Sequence, residues 1–152
     1  MAKLTNNERS PFTDVVKLTW EDLKVIGNGG TKQIASIPAG GGVALCAVTN
    51  IVDIAGTSSL VIDVGTTLAD PDEFINALDV DGMTVGLPTY NTGDTMLQSA
   101  GTTTTLAGFV PAKLVSADTP VYIKVTDAAI ASITAGEILI GLTILDLTQF
   151  SV

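Results

Sequence analysis

The side chains of this chain that could do chemistry are carboxylates, one thiol and a few glycine clusters. Asp63, Asp70, Asp72, Glu73, Asp79 and Asp81 fall close together, and such a group invites calcium, which takes several carboxylate and carbonyl oxygens at flexible geometry. The spacing does not fit an EF-hand loop. With Gly82 as its turn glycine, Asp79 and Asp81 fill the third and fifth positions, but Ala77 takes the first and Pro88 the twelfth. Helix capping and solvated turns account for the same residues, so Asp70, Asp72, Asp79 and Asp81 are noted as metal candidates while no metal or cofactor is expected. Two carboxyl groups across a cleft could cleave a glycosidic bond. No spacing here singles out an acid and a base, and one Trp and two Tyr leave little to stack on a sugar.

The remaining enzyme templates fail on residue type. The chain has no histidine, which removes imidazole acid–base chemistry, His-activated Ser or Cys nucleophiles and the commonest zinc ligand. Cys46 lies among Val43, Ala44, Leu45, Ala47 and Val48 with no basic neighbour in sequence, and reads as a small buried strand residue rather than a reactive thiol. Gly27-Asn28-Gly29-Gly30 and Gly40-Gly41-Gly42 do not continue into a phosphate-binding Lys-Ser/Thr, and read as turns. No enzymatic activity is expected.

These residues must be positioned by a small, apolar framework. The 152 residues suit one domain; 46% are hydrophobic and 15% charged, with a mean hydropathy of +0.47. The net charge is −9, a sign that repels phosphate, so nucleic-acid binding is not expected. No signal-peptide core follows Met1, which predicts synthesis in the cytoplasm. The uncharged run 33–52 contains Pro38 and the Gly40-Gly41-Gly42 triplet, which break a helix, so no membrane span is expected.

β-Branched residues in short runs punctuated by Gly, Pro, Asn and Asp predict an all-β chain. Strands are expected at 15–20, 31–37, 43–50, 59–64, 113–115, 121–126 and 138–145, with further candidates at 23–26, 95–97 and 105–109. Val121, Ile123 and Val125 alternate with Tyr122 and Lys124, the pattern of a strand with one buried face. In 138–145 both faces are apolar, as in a central strand covered on both sides. Asp70-Pro71-Asp72-Glu73 reads as a capped helix start and predicts one short helix at about 71–78. The whole predicts a two-sheet sandwich of jelly-roll type over residues 15–152.

Charge is unevenly distributed. No Lys or Arg lies between 33 and 112, and five of the seven basic residues lie at or before Lys32. Residues 1–14 read either as an extended arm reaching another subunit, with Pro11-Phe12 as anchor, or as a frayed terminus.

Several segments resemble the small structural proteins of tailed bacteriophages, particularly the capsid decoration, or cement, proteins of marine phages. They are Asp53-Ile54-Ala55-Gly56, Ser58 to Gly65, Asp70 to Ile75, Tyr90-Asn91-Thr92-Gly93-Asp94, Asp118 to Lys124 and Thr134 to Asp146. The resemblance covers roughly 44–146 and is one of motif order. It implies a non-enzymatic virion protein that binds the outer capsid surface, often as a trimer, and clamps neighbouring major capsid subunits. Arg9, Pro11, Phe12, Trp20, Leu139 and Leu145 are the interface candidates. The alternatives are a tail or connector protein, a carbohydrate-binding sandwich and a glycoside-acting enzyme. An aromatic platform on one face would favour sugar binding, and apolar side chains on the outward face of 138–145 would favour assembly.

Overall fold

A computed structural model describes residues 11–90, 92–93 and 115–146. Eight strands lie within them: β1 (Asp14–Thr19), β2 (Gly30–Ile37), β3 (Gly41–Ala55), β4 (Val61–Gly65), β5 (Ile75–Asp79), β6 (Thr89–Tyr90), β7 (Thr119–Thr126) and β8 (Ala135–Asp146). They form two four-stranded sheets, in the orders β1-β8-β3-β6 and β2-β7-β4-β5, and every pairing is antiparallel. Apart from the β4–β5 hairpin, successive strands alternate between sheets, so that the first lies beside the eighth and the second beside the seventh. That order is the jelly roll, which the spacing of short strands and turns predicts.

The core lies between the sheets, and alternation decides which side chains enter it. Ile138, Ile140 and Leu142 of β8 and Cys46 and Val48 of β3 meet Val121, Ile123 and Val125 of β7 and Ile62 and Val64 of β4, all fully buried. Burial pushes the Cys46 thiol up to about 12, consistent with a packing residue. The ends are closed by Leu23, Leu60, Val80 and Ile133 from the connecting segments. The uncharged run 33–52 is divided between β2 and β3, with the turn at Pro38–Gly40 between them.

Two local expectations are corrected. The short helix lies at Trp20–Ile26 (α1), where sequence reading puts the end of one strand and a further strand at 23–26. Thr19 is its N-cap: its hydroxyl accepts from the Asp22 N–H, and the Asp22 carboxylate accepts from the Thr19 N–H at 3.0 Å. This capping box was visible as Thr19-x-x-Asp22 ahead of Leu23, but the β-branched run before it reads as one continuous strand.

Residues 71–78 form no helix. Glu73 does not return to Asp70 as a helix cap would. Its carboxylate accepts from the N–H of Thr66 at 2.7 Å and from the hydroxyls of Thr66 and Thr67, closing the β4–β5 connection as a loop. Phe74 then donates its N–H to the Val64 carbonyl, and 75–79 pair with β4. A segment with only Phe74, Ile75 and Leu78 as apolar contacts gains more from completing a sheet beside β4 than from one isolated helical turn. Ala77 absorbs the irregularity at φ 47, with its N–H on Asp63 Oδ1 at 2.6 Å. Of the other candidate strands, 95–97 and 105–109 lie outside the described residues. Within 113–115 only Val115 is described, and it exchanges backbone hydrogen bonds with Gly40 and Gly41 without joining a strand.

Candidate functional site

The two sheets differ in what they turn outward. On β2-β7-β4-β5 the outward positions carry Thr31, Gln33, Tyr122, Lys124 and Thr126, with a half-buried Val61 and a nearly buried Asp63 beside Lys124, a mostly polar surface. Lys124 binds Asp70 at 2.9 Å. The hydrogen bond to Asp70 and the charges of Asp70, Asp63 and Asp72 outweigh desolvation and hold the ammonium above its ordinary pKa.

On β1-β8-β3-β6 the register puts Val15 beside Gly141, Lys17 beside Leu139, Thr49 beside Leu139, Ala47 beside Gly141, Leu45 beside Thr143 and Tyr90 beside Ala47. Among the described residues this face is apolar or small apart from one ion pair, Lys17 to Glu137 at 2.9 Å. Both partners are substantially exposed, so the pair adds little stability. Val15 is 56% and Tyr90 50% exposed, whereas Leu45, Leu139 and Leu145 are half-buried.

The segment before β1 lies on this same face. Thr13 donates its N–H to the Leu142 carbonyl at 2.9 Å, its hydroxyl accepts from the Ile144 N–H, and the Pro11 carbonyl accepts from the Thr143 hydroxyl. Phe12 sits over Gly141, so closely that a Cβ on Gly141 would come within 2.7 Å of the ring. Glycine at 141 therefore opens a notch in the sheet for an aromatic ring supplied from the start of the domain.

Among the interface candidates, the structure brings Pro11, Phe12, Leu139 and Leu145 to the outward face of β8 and its surroundings. Trp20 is elsewhere, at the start of α1, partly packed against the core with Lys24 Nζ 4.6 Å from its ring centre. Arg9 lies outside the described residues. Val15, Leu45 and Tyr90 were not picked out from sequence. The period-two alternation of β1 and β3 carried the signal for the first two, and Tyr90 joins them only through pairing with Ala47.

The acidic candidates separate into two places. Asp70 and Asp72 lie near Lys124, while Asp79 and Asp81 lie near Asp53 and Asp127 at the other end of β4 and β5. Among the described residues, no group of three or more His, Cys, Asp or Glu is arranged to hold a metal ion. Among the described residues the Trp and the two Tyr share no platform: Tyr90 and Tyr122 belong to different sheets, and Trp20 to α1.

No protein-family model matches the chain, and a search of curated proteins found no significant match. Among solved structures, the chain is similar to one in the "Acidic stable capsid structure of Helicobacter pylori bacteriophage KHP30", with a TM-score of 0.40 and 10% identity, over 86% of this chain and 87% of that one. A likeness this distant carries no argument about role.

Proposed function

We propose that this protein is a structural component of a bacteriophage virion, a capsid decoration protein that binds the outer shell and bridges neighbouring major capsid subunits as a homo-oligomer, with a trimer as the expected state. The observation that supports this reading is the contrast between the two sheets. One outward face is polar, whereas the other exposes Val15 and Tyr90 around half-buried leucines and carries a single ion pair. Exposed apolar side chains on one face of a small acidic domain mark a candidate protein interface. The jelly-roll order is shared by viral capsid proteins, lectins and other proteins, so it is compatible with this role without selecting it. The resemblance of its motif order to phage decoration proteins favours this role among them.

On this reading the acidic balance keeps the protein away from packaged DNA, and repeated contacts on a symmetric shell multiply individually modest affinities. The test is to add labelled full-length protein to purified shells, look for it in virions by mass spectrometry, and measure its mass in solution by sedimentation. Binding to shells with a trimeric mass is the expected result. A monomer that neither binds shells nor occurs in virions refutes the proposal, and binding to a glycan array would then point to the carbohydrate reading.

A further inference from the structure

Five of the eight large apolar residues left exposed among the described residues lie along the flank of β3 that β6 borders: Ile51, Val52, Val85, Leu87 and Tyr90. They are held there. Gly86 donates its N–H to the Asn50 carbonyl at 2.8 Å, which docks the β5–β6 connection beside Ile51. Leu87 donates to the Thr84 carbonyl at 3.0 Å, closing a turn with Gly86 at φ 79 in its third position. A turn of that form requires the left-handed conformation there, which glycine adopts freely. Tight turns at a surface usually carry Gly, Pro, Asn, Asp or Ser. This one displays Val85 at 48% and Leu87 at 63% exposure. Exposed apolar side chains gathered in one place on a small domain mark a candidate interaction surface.

Carboxylates border this strip at one end. Asp53 follows Val52, and Asp79 and Asp81 precede the turn. Desolvation, then repulsion from Asp79, Asp53 and Asp127, raises the Asp81 pKa above its ordinary value, so these carboxylates lie close enough to share one negative field. Among the described residues none of the four is in an ion pair. The described lysines are engaged elsewhere: Lys17 with Glu137, Lys32 with Asp22, Lys124 with Asp70, and Lys24 over Trp20.

We infer that this corner, centred on Val52, Val85 and Leu87 and rimmed by Asp53, Asp79 and Asp81, docks a protein surface of the shell that presents apolar side chains bordered by Lys or Arg. The inference rests on the proposed virion role and names the face and the partner chemistry for it. Charge complementarity favours this occupant: the corner is rimmed by carboxylates, so an apolar surface bordered by Lys or Arg fits it, whereas a second copy's same corner would oppose like charges.

The test uses the full chain and shells lacking the protein, with binding measured across a salt series. Leu87→Ser combined with Val85→Ser should weaken binding about tenfold and leave its salt dependence as in the wild type. Asp53→Asn combined with Asp81→Asn should weaken binding about threefold at low salt and flatten the salt dependence. Unchanged circular dichroism verifies that both variants are folded. If the wild type binds and both variants match it, the inference is overturned while the virion role stands. If the wild type fails to bind, the virion role fails and takes the inference with it. If the variants instead convert an oligomer into monomers in sedimentation, the occupant is a second copy and the inference is again overturned.

Discussion

Replacing Gly141 with alanine tests whether Phe12 is a fitted part of the outward face. A Cβ at 141 would lie 2.7, 2.7 and 2.9 Å from three ring carbons of Phe12, against an ordinary contact of 3.4 Å or more. The ring must therefore rise by several tenths of an ångström or swing away. Truncating a fully buried Phe to Ala costs about 3–5 kcal/mol, so a half-buried ring such as this one should cost about 2 kcal/mol in Phe12→Ala. Gly141→Ala by itself loses part of the ring contact but gains about 0.5–1 kcal/mol of strand preference over glycine, leaving a net cost of about 1 kcal/mol. Once Phe12→Ala has removed the ring, only the gain remains, and Gly141→Ala should stabilise by about 0.5 kcal/mol. The two changes should thus be coupled by about 1.5 kcal/mol. Urea denaturation of the four proteins, followed by circular dichroism and Trp20 fluorescence, measures this directly. Additive effects, or a Gly141→Ala variant as stable as the wild type, would refute the fitted-ring account.

Three further outcomes follow from particular contacts. Thr19→Ala should cost about 1 kcal/mol of unfolding free energy by opening the capping box of α1, read as a lower denaturant midpoint, and Thr19→Ser should retain most of the stability. Burial pulls the Glu73 pKa up, but hydrogen bonds from Thr67 and Thr66 together outweigh it and hold the carboxyl below its ordinary value. A lowered folded pKa means that its stabilisation is present above the unfolded carboxyl pKa and is lost as pH falls through the folded one. Thermal melts should therefore show Glu73→Gln less stable than wild type near neutrality, with the difference shrinking on acidification. Ala77→Gly should relieve the left-handed strain at φ 47 while keeping the N–H bond to Asp63. Strain relief of about 1–2 kcal/mol against the greater chain entropy of glycine predicts a net gain of about 0.5 kcal/mol in chemical denaturation.

The legible parts of the fold were those where one residue pattern admits one structure. Val121, Ile123 and Val125 alternate with polar neighbours, and all three are fully buried in β7. Apolar residues on both faces of 138–145 marked β8 as central, and it pairs with β1 on one side and β3 on the other. The sequence places the helix at about 71–78 because the capping chemistry of Asp70-Pro71-Asp72-Glu73 stands out, while the β-branched run ahead of Trp20 reads as strand. Thr19-x-x-Asp22 and Asp70-x-x-Glu73 are both plausible caps, and local propensity cannot say which segment also has a neighbouring strand waiting for it.

Composition and periodicity determined that this chain is a β-rich domain with a buried thiol and strands whose inner faces are apolar, because alternation is a property of the backbone and survives any arrangement of strands. The pairing of β8 with β1 and β3, the notch at Gly141 that Phe12 fills, and the strip formed by Val52, Val85 and Leu87 were decided only by tertiary structure. Each joins residues far apart in the chain. Their meeting depends on which strands share a sheet and in what register, and no local spacing records that.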